Sequence, residues 1–116
     1  FLKNKQNEIQ GYTKAFFSGL TNIEISKFVC DIIIKKKFHS GIFNLSGNKI
    51  SKYELLKIIN KKYKLNKVIN KSFDIKIDRS LLNKKIMKYF KFKVKPWNKL
   101  IDQMKNDYEN YKKKLY

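Results

Sequence analysis

The sequence predicts an α/β fold rich in helix. Three observations predict it. Thr21 with Glu24, and Ser51 with Glu54, each place a hydroxyl three residues ahead of a carboxylate and open an apolar run at helical spacing. Short apolar stretches bounded by glycine or charge carry strand character. The composition, 42% hydrophobic and 15% aromatic, belongs to a folded chain rather than a disordered one. At 116 residues the chain has the length of one small domain with a modest core.

Taken in order, residues 1–7 read as the end of a helix already under way. With Phe1 rather than Met at the start, the expectation is a piece of something longer. Residues 12–18 suit a short strand, and Gly19 permits a turn. Thr21 and Glu24 then cap an amphipathic helix whose apolar face is Ile23, Ile25, Phe28, Val29, Ile32 and Ile33. Lys35, Lys36 and Lys37 close it, where positive charge suits the dipole. Cys30 falls within this pattern and is expected to be a buried structural thiol. Gly41-Ile42-Phe43-Asn44-Leu45-Ser46-Gly47 reads as a strand between glycines. Ser51 and Glu54 open a second helix through Leu55, Leu56, Ile58 and Ile59 to about Lys64.

Val68 to Ile77 has strand character, Asp78-Arg79-Ser80 reads as a loop, and a short helix is expected from Leu82 to Phe90. Pro96 suits the first turn of a last helix, with Trp97, Leu100, Ile101 and Met104 on one face. Residues 106–116 form a Lys/Tyr-rich helical tail expected to fray, beyond a main unit of residues 1–105. Short strands that make no continuous sheet do not stand alone, so the pattern implies packing against a missing partner.

The formal charge of +19 invites a nucleic-acid reading. The excess is lysine scattered along every segment, however, and Arg79 is the sole arginine. Base readers depend on the planar arginine fork, so solvated faces are expected instead of a nucleic-acid surface. No apolar stretch approaches the roughly 20 residues of a membrane span, and the longest cluster, Phe28 to Ile34, is broken by Asp31. A single cysteine forms no internal disulfide. A cytoplasmic protein without membrane contact is expected.

Four stretches in order carry a family resemblance: Gly11 to Thr21, Gly41 to Gly47, Ile50-Ser51-Lys52-Tyr53-Glu54-Leu55-Leu56, and Asp78-Arg79-Ser80-Leu81, closed by Pro96-Trp97 and its apolar helix. Together they resemble the C-terminal, substrate-binding region of extended short-chain dehydrogenase/reductases, especially the dTDP-4-dehydrorhamnose reductase-like branch of the NAD-dependent epimerase/dehydratase superfamily. The resemblance spans about Phe1 to Met104. It implies a nucleotide-diphosphate sugar as substrate and oxidoreductase chemistry by the whole protein. NAD or NADP would be bound mainly by an N-terminal Rossmann domain absent from this chain. It equally admits epimerisation, dehydration, or a non-catalytic regulatory subunit on the same scaffold.

The chain lacks the Gly-rich cofactor fingerprint, its four glycines being too far apart. Tyr-x-x-x-Lys spacing occurs at Tyr53/Lys57, Tyr89/Lys93 and Tyr108/Lys112, as seven tyrosines among abundant lysines will produce by chance. No catalytic or metal-binding residue is therefore assigned. The resemblance points to Arg79 as the diphosphate contact, since its fork can grip phosphate twice; the plainer alternative is an ion pair with Asp78 or another carboxylate. Ser80 and Asn83 follow as substrate contacts or helix caps. Phe16, with Phe17, could wall the nucleotide pocket or pack in the core. Trp97 is expected as a buried anchor and His39 as a surface histidine.

Overall fold

The computed structural model describes residues 5–115, without the side chain of Leu115. Residues 1–4, where the opening helix end was expected, lie outside the described residues, and residues 5–7 are not helical. The first element is strand β1, Glu8–Phe17, longer than the sequence pattern suggested. It is the centre of a three-stranded sheet ordered β2-β1-β3, with β2 at Ile50–Ser51 and β3 at Val68–Arg79. β3 runs parallel to β1, from Glu8 opposite Val68 to Phe17 opposite Arg79, and β2 is antiparallel. The strands thus form one sheet, contrary to the expectation of isolated ones. Their pairing is non-local, and no short stretch of sequence displays it.

Between Tyr12 and Lys14 the ladder loses register: Thr13 stands against Phe73, Asp74 and Ile75. Such a bulge bends the strand and increases its twist. Gly11 lies just before it, where a side chain would collide with α2, Lys52–Tyr63.

Helix α1 covers Asn22–Lys35, with Thr21 accepting from the Glu24 N–H at 3.4 Å. The box is only half closed, because the Glu24 carboxylate is bonded by Lys95 at 2.8 Å. Ser51 and Glu54 complete theirs: Ser51 Oγ accepts from the Glu54 N–H, and Glu54 accepts from the Ser51 N–H at 3.2 Å each. Both helices end on a lysine in the left-handed region, Lys36 at φ 50° and Lys64 at φ 51°. α3 is shorter than expected, Lys84–Phe90. α4 spans Trp97–Leu115 and begins one residue after Pro96, whose carbonyl accepts from the Lys99 and Leu100 N–H groups. The helix continues into the tail, where Tyr108 and Tyr111 extend the row of Met104 and Lys105 pairs with Glu109 one turn on.

The core joins Ile50, Trp97, Leu100 and Ile101, flanked by Phe17, Leu20, Leu55, Ile58 and Ile59. Trp97 is the anchor anticipated: its indole N–H donates to the Asn48 carbonyl at 2.8 Å. A second cluster packs Phe28 against Phe90 and Phe92, with His39 and Phe43 against Phe90.

Two expectations are corrected. Residues 41–47 are not a strand: among the described residues the only backbone bond the segment donates is from the Gly47 N–H to the Ser18 carbonyl at 2.8 Å, which makes no ladder. Cys30 is exposed, because the outer row of α1 (Ile25, Val29, Ile33) has no cover. The molecule is a slab of 47 × 43 × 17 Å, and its radius of gyration is 16.5 Å. A compact chain of this length would have about 13 Å. Among the described residues no helix is long and apolar enough to cross a membrane.

Candidate functional site

The last residue of β3 is Arg79, so the strand runs two residues past the expected loop boundary. Its backbone is paired opposite Phe17, and its side chain reaches a concavity of about 430 Å³ on the sheet. Tyr12, Phe17, Ile75 and Ile77 line it, and Lys52 supplies a second cation. The Lys52 ammonium lies 5.6 Å from the centroid of the Tyr12 ring. Two cations above apolar and aromatic walls suit an anion attached to a flat or apolar body.

Successive residues of a strand point to opposite faces, which separates Asp78 from Arg79. Asp78 is paired with Lys49. It also accepts from the Ser80 hydroxyl at 2.6 Å and the Ser80 N–H at 2.9 Å. The bond from Lys49, then those from Ser80, hold its carboxyl well below the usual carboxylate range. Among the described residues no carboxylate pairs with Arg79, so the ion-pair alternative is not what the geometry displays.

The other candidates are placed as follows. The Ser80 hydroxyl is engaged by Asp78. Asn83 stands at the head of α3 without capping it, and its amide donates to the Ser46 carbonyl at 3.1 Å and the Gly47 carbonyl at 3.4 Å. That bond ties the loop after Arg79 to the 41–47 segment. Phe16 borders the concavity, but it is paired opposite Asp78, and its ring lies on that face with the Lys49 ammonium 4.6 Å from its centroid. Phe17 lines the concavity and packs on Trp97 at 5.5 Å.

Sequence reasoning passed over Tyr12 and Lys52. The signal for Lys52 was its place directly after the Ser51 cap. Tyr12 could be found only from the β1–β3 register. Of the Tyr/Lys pairs, Lys57 sits 5.5 Å from the Tyr53 ring and Lys112 4.8 Å from the Tyr108 ring, as ordinary cation–π neighbours. Lys93 lies beyond the end of α3 and does not share a helix with Tyr89. His39 is exposed, its ring edge-on to Phe90 at 4.9 Å. Among the described residues no three His, Cys, Asp or Glu side chains gather to hold a metal ion.

The architecture is that of part of a reductase fold of the α/β class. Two solved structures share it, both dTDP-4-dehydrorhamnose reductases. One, from Bacillus anthracis str. Ames in complex with NADP, superposes with a TM-score of 0.69 at 12% identity, over 85% of this chain and 37% of that one. The other, from Clostridium acetobutylicum ATCC 824, gives 0.68 at 12% identity, over 86% and 40%. The chain therefore spans about two fifths of the length of these enzymes. No family model and no curated protein matches the sequence.

Proposed function

We propose that this chain is the substrate-clamping portion of an NAD(P)-dependent nucleotide-sugar oxidoreductase of the extended short-chain dehydrogenase/reductase family, similar to dTDP-4-dehydrorhamnose reductase. Residues 1–105 form the clamp, and residues 106–116 are its helical tail. The observation that carries the reading is Arg79. It is the chain's only guanidinium, without an ion pair among the described residues, at the rim of an aromatic-walled concavity holding a second cation. A nucleotide diphosphate offers that site paired anionic oxygens beside a planar base. The likeness in fold to two reductases supports the same substrate class.

The residues present do not fit the dinucleotide itself. The link from β1 to α1 contains one glycine, Gly19, where a phosphate-cradling turn needs several. In this reading NAD(P) is held by another body, and the present residues bind and orient the sugar nucleotide. Holding a substrate in reacting geometry is itself a large part of catalysis.

Calorimetric titration with a dTDP-sugar tests the assignment. Arg79→Ala should weaken binding about tenfold or more, in line with the loss of hydrogen bonds to a charged group. Arg79→Lys should recover only part, because an ammonium cannot reproduce the fork. Equal affinity for Arg79→Ala and the parent would remove Arg79 from the site.

A further inference from the structure

Lysine looks scattered along the sequence, but the fold gathers part of it. Two stretches without a single Asp or Glu, residues 36–43 and 84–93, lie side by side although β2, α2 and β3 separate them in the chain. Ring contacts join them. His39 stands 4.9 Å from Phe90 and 5.6 Å from Tyr89, and Phe43 stands 5.0 Å from Phe90 and 5.6 Å from Tyr89. Lys85 Nζ also donates to the Ile42 carbonyl at 3.0 Å.

The first stretch supplies Lys36 and Lys37; the second supplies Lys84, Lys85, Lys88, Lys91 and Lys93. All of them are exposed. Among the described residues none is paired with a carboxylate, whereas Lys35 and Lys95, just outside the two stretches, are taken by Asp31 and Glu24. Unneutralised charge gathered in one place raises the local potential and draws anions. Aromatic rings are interleaved with it. The Lys85 ammonium lies 4.6 Å from the Phe43 centroid and that of Lys88 5.8 Å from the Tyr89 centroid. Phe38 is 70% exposed and Tyr89 48%. In α3, Ile86 is buried while Lys88 and Tyr89 both meet solvent. A surface that lies in a membrane sorts its apolar and charged residues onto opposite sides. The mixed pattern suits a string of phosphates carrying flat bases, with cations for the backbone and ring faces for the bases.

We propose that the face formed by residues 36–43 and 84–93 binds single-stranded nucleic acid, its lysines tracking the phosphates and Phe38 and Tyr89 serving as stacking platforms. The strand is single, because only unstacked bases offer a face to a ring. Binding is indifferent to sequence, since neither stretch contains an arginine and lysine meets phosphate as a point charge. The face includes neither Arg79 nor Lys52, so it stands apart from the proposed function.

Fluorescence anisotropy of labelled oligo(dT) and oligo(U) with the full-length native protein tests this. Binding of either should weaken with salt at a log–log slope of about −3, the value for four or five phosphate contacts on a single strand. Lys84→Glu with Lys88→Glu and Lys91→Glu should weaken it about tenfold or more, and glutamine at the same positions should do so without added repulsion. Phe38→Ala with Tyr89→Ala should also cost about tenfold, yet leave the salt slope unchanged, because stacking releases no counterions. Lys61→Glu with Lys113→Glu and Lys114→Glu makes the same change of charge elsewhere. It should alter binding less than about twofold at about 0.1 M salt, where charges more than about 10 Å away are screened. Thermal melts identify any variant that has lost its fold. An equal loss in the remote triple variant would overturn the proposal, since diffuse charge would then hold the strand. So would duplex DNA binding as tightly as oligo(dT), or phosphatidylserine vesicles displacing the oligonucleotide at equal charge.

Discussion

Arg79 is available because its neighbour is not. Asp78 faces away and is taken by Lys49 and Ser80, which leaves the guanidinium to the concavity. The depressed pKa of Asp78 has a definite consequence. A carboxyl with a lowered folded-state value adds stability that is fully present above the ordinary value of about 4, and that is lost as pH falls through the folded value. Carboxyl-carbon NMR should find Asp78 the last aspartate to protonate on acidification, and Lys49→Ala should move its midpoint back toward the ordinary range. The pair is solvent-exposed, so it orients the Asp78 carboxylate more than it stabilises the fold. A different constraint governs Gly11. A methyl group there would stand 2.7 Å from Tyr53 Cδ2, 2.9 Å from Ile69 Cγ2 and 3.1 Å from the Tyr53 Cα. The first can swing aside, but the last is backbone. Urea denaturation of Gly11→Ala should show a loss of about 1–3 kcal/mol, the usual cost of overpacking.

Among the elements, the helix starts were the most legible part. A hydroxyl and a carboxylate three residues apart are a local signal, and both boxes lie where the residues place them. What sequence could not reveal is that Lys95, from 71 residues away, captures Glu24 and leaves the first box half closed. The helix ends were less legible, since the usual glycine is absent and Lys36 and Lys64 take up the left-handed turn. Both facts lead to a measurable contrast. Ser51→Ala should cost about 1 kcal/mol through loss of the cap. Lys64→Gly should gain up to about 1 kcal/mol by relieving a conformation that disfavours a side chain. Thermal melts of the two variants should move in opposite directions. Strand reading failed for a physical reason as well. Val68 to Ile77 and Ile42 to Ser46 look alike in composition, but only the former has β1 beside it. Arg79 was placed in a loop for the same reason: its pairing with Phe17 extends the strand through contacts 62 residues apart. Of the candidate site, Arg79 was readable as a residue type, whereas Tyr12 and Lys52 join it only through the fold, and the register turns the Phe16 ring to the Asp78 face.

At the level of the whole molecule, the thin slab and the uncovered apolar rows are one fact seen twice. A thickness of 17 Å leaves no second layer over the outer row of α1. The periodicity that marked α1 as amphipathic was correct, but periodicity cannot tell which chain buries the face. This is why Cys30 seemed buried and is exposed. The consequence is an unusual pattern of tolerance. Leu100 is wholly inaccessible, and Leu100→Ala should destabilise the 116-residue chain by about 2–5 kcal/mol, the range for emptying a packed site. Ile33 is equally apolar, yet Ile33→Lys should change stability by no more than about 0.5 kcal/mol, since at 59% exposure it has little cover to lose. The same change should lower binding of a hydrophobic dye, because a charge is being placed in a bare apolar row. If urea denaturation showed Ile33→Lys to be as costly as Leu100→Ala, the α1 row would have to be packed in solution.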